Sequence, residues 1–227
     1  MSPKERAAEA ALQYVQSDMV VGLGTGSTAD YILIAIAREI KAGRLRGIRG
    51  IPTSKRSEAR AIELSIPLAT LAQCPSPDVT IDGADEVAPN LDVIKGLGGA
   101  LLREKVVAQS TRKLIIIADA SKRVTRLGTR SPLPVEVIRF AHEASAVYLR
   151  SLGCLPTLRL NPDGTPFITD NSNYIYDCSF LPAGMADPAE IQERILHRAG
   201  LVDSGLFLGM AGVAIIADGS SIETLTR

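Results

Sequence analysis

The feature that most limits what this chain can fold into is the alternation of short aliphatic runs with helical patterns through its first 130 residues. "MVVGL" (19–23), "IRGIP" (48–52), "DVTIDGADEV" (78–87) and "KLIIIADAS" (113–121) read as strands buried on both sides. Between them lie helical patterns. Ala7, Ala8, Ala11, Leu12 and Val15 make one apolar stripe. "ADYILIAIAREIKAG" is a helix that stops near Gly43, with Ser27 or Thr28 as its N-cap, and "SKRSEARAIEL" is a helix opened by Ser54. "GALLREKVVAQS" completes the set. Aliphatic strands separated by helices bury both faces of a sheet, so the fold class is α/β, a parallel sheet with helices on both faces.

The pattern changes at "SPLPVEVIRFA", where two prolines mark a boundary. A strand (133–138), a helix (140–151) and a strand (155–160) precede a "NPDGTP" turn. A strand pair ("FIT", "YIYDCSF") and a helix from Pro188 to Arg198 come next, and "GLVDSGLFLGMAGVAIIADG" supplies two more strands. Residues 131–206 therefore form a small α+β insert, and residues 1–130 with 207–227 form the main domain.

Composition excludes several function classes. Acidic and basic residues balance at 25 each, without a basic block, and aromatic residues are 4% with no Trp. Neither a nucleic-acid surface nor a single-strand stacking platform is supported. Cys74, Cys154 and Cys178 are scattered and odd in number, which fits a reducing cytoplasm and no disulfide framework. The charged, amphipathic N-terminus is unlike a secretory signal, and "LIIIA" at 114–118 is too short to span a bilayer.

"VVGLGTGSTAD" (20–30) resembles a nucleotide loop and fails both standard patterns. A Rossmann fingerprint starting at Gly22 requires glycine where Ser27 stands, and no Gly-Lys-Ser/Thr follows. What remains is a strand, a glycine turn, the hydroxyls of Thr25, Ser27 and Thr28, and a helix N-terminus. Backbone N–H groups and the helix dipole favour an anion there, and one phosphate fits better than a dinucleotide. An ordinary tight turn with a helix cap is the alternative.

"IDGADEV" places Asp82, Asp85 and Glu86 at the carboxyl end of a strand, the edge where open α/β sheets bind ligands. A solvated turn is the plain alternative and a Mg²⁺ site the other, ranked below contact with substrate hydroxyls. Lys95 then precedes a second glycine-rich turn, and Glu104 falls one helical turn after Ala100 and Leu101. By itself Glu104, between Arg103 and Lys105, also reads as part of a mixed-charge surface helix. Together, a lysine, two aspartates and a glutamate beside an anion loop form an acid/base set suited to proton abstraction next to a carbonyl. "IADASK" adds Ser121 and Lys122 at the same edge. His142 and His197 fall away from these turns and read as structural or surface residues.

The ordered series "GLGTGSTA", "PTSKRSEARAIELSIPL", "TIDGADEV", "IKGLGGALLREK", "IADASK", "LPVEV" and "TDNSNYIYD" resembles type A ribose-5-phosphate isomerase over nearly the whole chain. The resemblance implies a Rossmann-like domain with a ferredoxin-like α+β insert, in a homodimer or tetramer. It implies interconversion of D-ribose 5-phosphate and D-ribulose 5-phosphate in the pentose phosphate pathway, without metal or organic cofactor. It makes Glu104 the base, Lys95 the partner of the developing oxyanion, and Asp82 and Asp85 the groups that hold hydroxyls and assist ring opening. Substrate-binding positions are Thr25, Gly26, Ser27, Thr28, Gly83, Ala84, Gly96, Leu97, Gly98 and Lys122. Three residues depart from the family pattern. Leu97 stands where a glycine is usual, Leu102 where a threonine is, and Gly212 where many relatives carry aspartate. An amino-sugar-phosphate deaminase and an inert sugar-phosphate sensor are the competing readings. The glutamate one turn past the glycines speaks against the first, and no segment remains for a sensor's DNA-binding helices.

Overall fold

The computed structural model describes residues 1–227, which divide into two compact units. The first comprises Met1–Ala84, Arg103–Lys122 and Gly209–Arg227, the second Asp85–Leu102 and Arg123–Leu208.

In the first unit, α1 (Pro3–Ala11) starts with a capping box in which Ser2 and Glu5 satisfy each other's backbone N–H groups. Strand β1 (Val20–Leu23), α2 (Ala29–Lys41), β2 (Arg49–Pro52), α3 (Lys55–Glu63) and β3 (Val79–Gly83) follow. Ser54 caps α3 as expected, reciprocally with Ser57. At the start of α2, Thr28 is the cap residue, one of the two positions expected, but it has helical backbone angles and makes no side-chain capping bond.

Two short strands, β4 (Glu86–Val87) and β5 (Val93–Ile94), lead to α4 (Leu101–Ser110) and then β6 (Leu114–Asp119). The second unit continues with β7 (Leu133–Val137), α5 (His142–Arg150), β8 (Leu155–Leu158), β9 (Tyr174–Ser179), α6 (Pro188–Leu196), β10 (Leu201–Ser204) and β11 (Leu206–Phe207). The chain closes with β12 (Ala211–Ala217) and β13 (Ile222–Thr226).

The first unit's sheet runs β13-β12-β6-β3-β1-β2, parallel except for the edge strand β13. Numbering the parallel strands in chain order gives 2-1-3-4-5, a doubly wound order whose switch point lies between β1 and β3. Val21, Leu23, Val79, Ile81, Ile115, Ile117, Val213 and Ile215 point to one face, against α1 and α2. Val20 and Ile51 point to the other and pack with Val107 of α4. Helices therefore cover both faces, and a strand's even-numbered residues in β1 and β3 share the α4 side.

The second unit's main sheet is antiparallel, β10-β7-β9-β8. Its order of elements, strand-helix-strand-strand-helix-strand, with spatial order fourth-first-third-second, is the ferredoxin-like topology. "FIT" is not a strand. Phe167 donates to the Arg159 carbonyl, Thr169 donates its N–H to Asn173, and its hydroxyl donates to buried Glu136. The closing segment forms three strands rather than two, and β13 adds a hairpin beyond it.

Residues 85–102 lie with the second unit, whereas the sequence reading keeps them in the first. The cause is long-range pairing. β5 pairs with β11, Leu206 opposite Ile94 and Phe207 opposite Val93, and the Lys95 N–H donates to the Gly205 carbonyl.

Candidate active site

At the switch point of the first unit the glycines of "GLGTG" have separate causes. A Cβ on Gly22 would stand 2.0 Å from Thr80 Oγ1, and one on Gly24 would stand 2.4 Å from Asp82 Oδ1 and 2.6 Å from Asp82 Cα. These two glycines let β1 lie against the side chains of β3. Gly26 instead has φ +105 with open space around it, so backbone conformation is what requires glycine there.

Asp82 is 1% exposed. Its Oδ1 accepts from the Thr25 N–H at 3.0 Å and the Gly83 N–H at 2.7 Å, charge-assisted bonds that fix the carboxylate at the end of β3. Thr25 turns its hydroxyl inward, donating to Ser54 at 2.8 Å and sharing a 2.7 Å bond with Thr53, so it braces the loop to the start of α3. Ser27 is exposed and Thr28 half-buried beside Gly83. Lys4 donates from Nζ to Ser27 Oγ at 2.9 Å, bringing a cation to the mouth of α2. Nothing in the sequence marks Lys4, because packing of α1 on α2 creates this contact across 23 residues.

Glu104 lies in the first turn of α4 and is 3% exposed, as is Lys105. That burial excludes a solvated mixed-charge surface. Glu104 sits one turn before Val107, which packs on the sheet face that also carries Asp82. Lys122 is half-buried in the single 3₁₀ turn after β6, at the same carboxyl edge, where Asp119 accepts from the Ser121 N–H at 3.0 Å.

The second unit carries the remaining candidates. Asp85 donates its N–H to the Ile94 carbonyl at 2.7 Å, and its Oδ2 accepts from the Leu97 N–H at 2.9 Å. Lys95 is 3% exposed, with Nζ 5.5 Å from the centroid of the Phe207 ring, a cation–π distance. Gly96 and Gly99 have φ +102 and +82. Leu97 is absent from the positive-φ positions and exposes its side chain, so this turn accepts a residue other than glycine there. Arg159 Nη1 donates to the carbonyls of both Gly96 and Leu97 at 3.1 Å, a contact the sequence reading missed.

Glu86 does something different. Its two oxygens accept the N–H groups of Gly128 (2.6 Å), Arg130 (2.7 Å) and Ser131 (2.6 Å), so it organises a loop instead of facing a ligand. Leu102 is half-buried. Gly212 lies at the start of β12, beside Leu114 of β6, the sheet edge opposite the candidate residues. His142 bonds Tyr176 Oη, His197 bonds the Glu193 carbonyl, and the three cysteines are buried thiols.

Residues 49–221 match the family model described as ribose 5-phosphate isomerase A (phosphoriboisomerase A). The chain is 52% identical over 225 residues to ribose-5-phosphate isomerase A of Synechococcus sp. (strain JA-3-3Ab), covering 99% of this chain and 96% of that one. It is 50% identical over 222 residues to the enzyme of that name from Roseiflexus castenholzii, at 98% and 94% coverage. Among solved structures, ribose 5-phosphate isomerase from Plasmodium falciparum superposes with TM-score 0.95 at 43% identity, covering 99% and 97%. A D-ribose-5-phosphate isomerase in complex with phospho-erythronic acid also gives TM-score 0.95, at 37% identity and the same coverage.

Proposed function

The chain belongs to the ribose 5-phosphate isomerase A family and interconverts D-ribose 5-phosphate and D-ribulose 5-phosphate, and we propose that Glu104 carries the proton between C2 and C1 through an enediolate. The observation that supports this most is the burial of the Glu104 carboxylate, 3% exposed, on the helix covering the Asp82 face of the sheet. Burial of this kind keeps bulk water away from the carboxylate and from the reactive enediolate it would serve.

The other roles follow from the chemistry of each group. Loss of a proton from C2 of the open-chain aldose leaves negative charge on the carbonyl oxygen. Lys95 supplies the cation for that oxyanion. Asp82 and Asp85, each oriented by backbone N–H donors, bind sugar hydroxyls and assist opening of the ring. The phosphate rests on the N-terminus of α2, against Gly26, Ser27 and Thr28, with Lys122 and Lys4 as counter-charges. Thr25 serves this loop through its braces to Thr53 and Ser54. Gly83, Ala84, Gly96, Leu97 and Gly98 contact the sugar through backbone. Phospho-erythronic acid, found in complex with a relative, holds two coplanar oxygens on its carboxylate carbon, close to where an enediolate holds one on each of two adjacent carbons, and it should compete with substrate here.

The reaction needs no metal ion, so activity survives EDTA. The protein acts in the cytoplasm, in keeping with its scattered reduced cysteines; no helix is long and apolar enough to cross a membrane. It works as a homodimer or tetramer, with the exposed Phe140, Val147 and Leu155 of the second unit as candidate contact residues. Light scattering of the eluting protein measures the last.

The direct experiment follows ketose formation from ribose 5-phosphate by the wild type and by Glu104→Gln. General-base catalysis contributes about 10²–10⁴-fold, so kcat should fall by about that factor with KM within a few-fold. No conversion by the wild type, or undiminished conversion by the variant, overturns the assignment.

A further inference from the structure

The turn of residues 96–98 has no regular structure to hold it, yet it carries Leu97, whose N–H orients Asp85, and it follows Lys95 directly. Its conformation is set from behind by Arg159. One edge of that guanidinium, Nη1, donates to two successive carbonyls, Gly96 and Leu97, at 3.1 Å each. The other edge forms a two-point pair with Asp177, Nε to Oδ2 at 2.9 Å and Nη2 to Oδ1 at 2.5 Å. The two side chains are only 13% and 25% exposed, which distinguishes this pair from a solvated surface ion pair. Arg159 and Asp177 come from neighbouring chain segments of the second unit: Thr157 of β8 pairs with Asp177 of β9, and the Arg159 N–H bonds the Ile175 carbonyl. They are diagonal neighbours on one face, where a long side chain reaches its partner. The Phe167 ring lies 5.8 Å from the guanidinium and also fills the space beside Gly99, where a Cβ would stand 2.5 Å from it.

Peptide planarity turns this into a statement about the other side of the turn. In a trans peptide the C=O and the following N–H point in opposite directions. With the Gly96 carbonyl drawn toward Arg159, the Leu97 N–H is directed away from it, and there it meets Asp85 Oδ2. With the Leu97 carbonyl drawn the same way, the Gly98 N–H is also directed away from the guanidinium. We propose that Arg159, locked by Asp177, is a positioning residue for catalysis: it holds two successive peptide planes so that their N–H groups face the Asp85 side, fixing Asp85 and offering the Gly98 N–H to a substrate oxygen. The inference rests on the assignment of Lys95 and Asp85 to the reaction.

The sequence contains no hint of it, since 63 residues separate Arg159 from Gly96 and an arginine followed by a turn is ordinary. Lysine cannot replace it. An ammonium reaches the carbonyls or the carboxylate but lacks the planar fork that serves both at once.

The test compares Arg159→Ala, Arg159→Lys, Asp177→Asn and Lys95→Met with wild type by steady-state kinetics on ribose 5-phosphate, with thermal melting as the check on folding. Misplacement of reacting groups by about 1 Å costs on the order of 10²-fold. Arg159→Ala should therefore lose about 10- to 100-fold in kcat/KM, mostly in kcat, and Asp177→Asn a smaller factor in the same direction. Guanidinium ion added at millimolar concentration should restore part of the Arg159→Ala activity and none of the Lys95→Met activity. If Arg159→Ala does not fold, Arg159→Lys takes its place, and the same loss in kcat with unchanged melting is expected. Wild-type kcat in a folded Arg159 variant overturns the proposal, as does a loss confined to KM. Wild-type activity in Lys95→Met instead overturns the underlying assignment, whatever the Arg159 variants do.

Discussion

Replacing Gly24 by alanine puts a methyl group where the fold has no room for one. The new Cβ would lie 2.6 Å from the Asp82 Cα, whereas ordinary contact begins near 3.4 Å. The obstacle is backbone, so no rotamer change relieves it. β1 and β3 must separate locally by roughly 0.8 Å, the difference between those distances. Because these are central strands of the sheet, the strain falls on the Thr25 N–H to Asp82 bond, 3.0 Å long in the wild type. Overpacking of this kind costs about 1–3 kcal/mol, which for a chain of this size lowers Tm by about 2–12 °C. The catalytic cost is larger, since an Asp82 carboxylate displaced by most of an ångström loses on the order of 10²-fold in kcat/KM, chiefly in kcat. Gly26→Ala is the matched control. Nothing lies within 4 Å of its Cβ, and its φ of +105 makes the cost purely conformational, about 1–3 kcal/mol. It should disturb the loop proposed to hold the phosphate and raise KM more than it lowers kcat. Kinetics with ribose 5-phosphate and melting curves on both variants decide the matter. A Gly24→Ala protein with wild-type kcat and Tm would refute the close-approach reasoning.

Three further outcomes follow. In Asp82→Asn the amide oxygen can take the place of Oδ1, which accepts both backbone N–H bonds, so Tm should fall by only a few degrees while kcat drops about 10²–10³-fold; equal losses in both would reassign Asp82 to structure alone. Glu86→Gln places an amide NH₂ against backbone N–H donors now 2.6–2.7 Å from the carboxylate, and it should destabilise by about 2–4 kcal/mol while kcat per folded molecule is retained; a kcat loss without a Tm loss would contradict the structural role. The N–H groups of Ser221 and Ser220, with the Ser221 hydroxyl, hold the Asp218 carboxyl well below the usual carboxylate range. The fold thus favours its charged form, so its contribution is complete above about pH 4 and is lost as pH falls through the depressed folded value. The Tm gap between wild type and Asp218→Ala should therefore be open at pH 7 and narrow toward about pH 2; a gap that widens in acid would contradict the sign.

Much of this molecule was legible in the sequence because its signals are local. Buried aliphatic strands such as "LIIIA", the Ser54 cap, and carboxylates placed just after strands need no partner to be recognised. The burial of Glu104 was not local, since its flanking charges describe an exposed helix until the sheet beneath Val107 is known. Strands of two residues, such as Glu86–Val87, Val93–Ile94 and Leu206–Phe207, are too short for any periodicity, and their pairing is what places residues 85–102 with the second unit. The edge strand at 222–226 is mostly exposed and polar, so it lacks the apolar pattern of its neighbours. "FIT" has strand composition, but Phe167 lies against Gly99 and Arg159. Lys4 and Arg159 share a cause of invisibility, for each acts on a loop far away in the chain.

The central claim is that a base on this chain removes the C2 proton and an enediolate forms. Running the conversion of ribose 5-phosphate in D₂O and reading deuterium at C1 of the ribulose 5-phosphate by NMR tests it most directly. Deuterium at C1 is the predicted result, with incorporation and turnover falling together by about 10²–10⁴-fold in Glu104→Gln. Product formed with no solvent deuterium at C1, at a rate unchanged in Glu104→Gln, would mean direct transfer of hydrogen from C2 to C1 without this base, and would contradict the account.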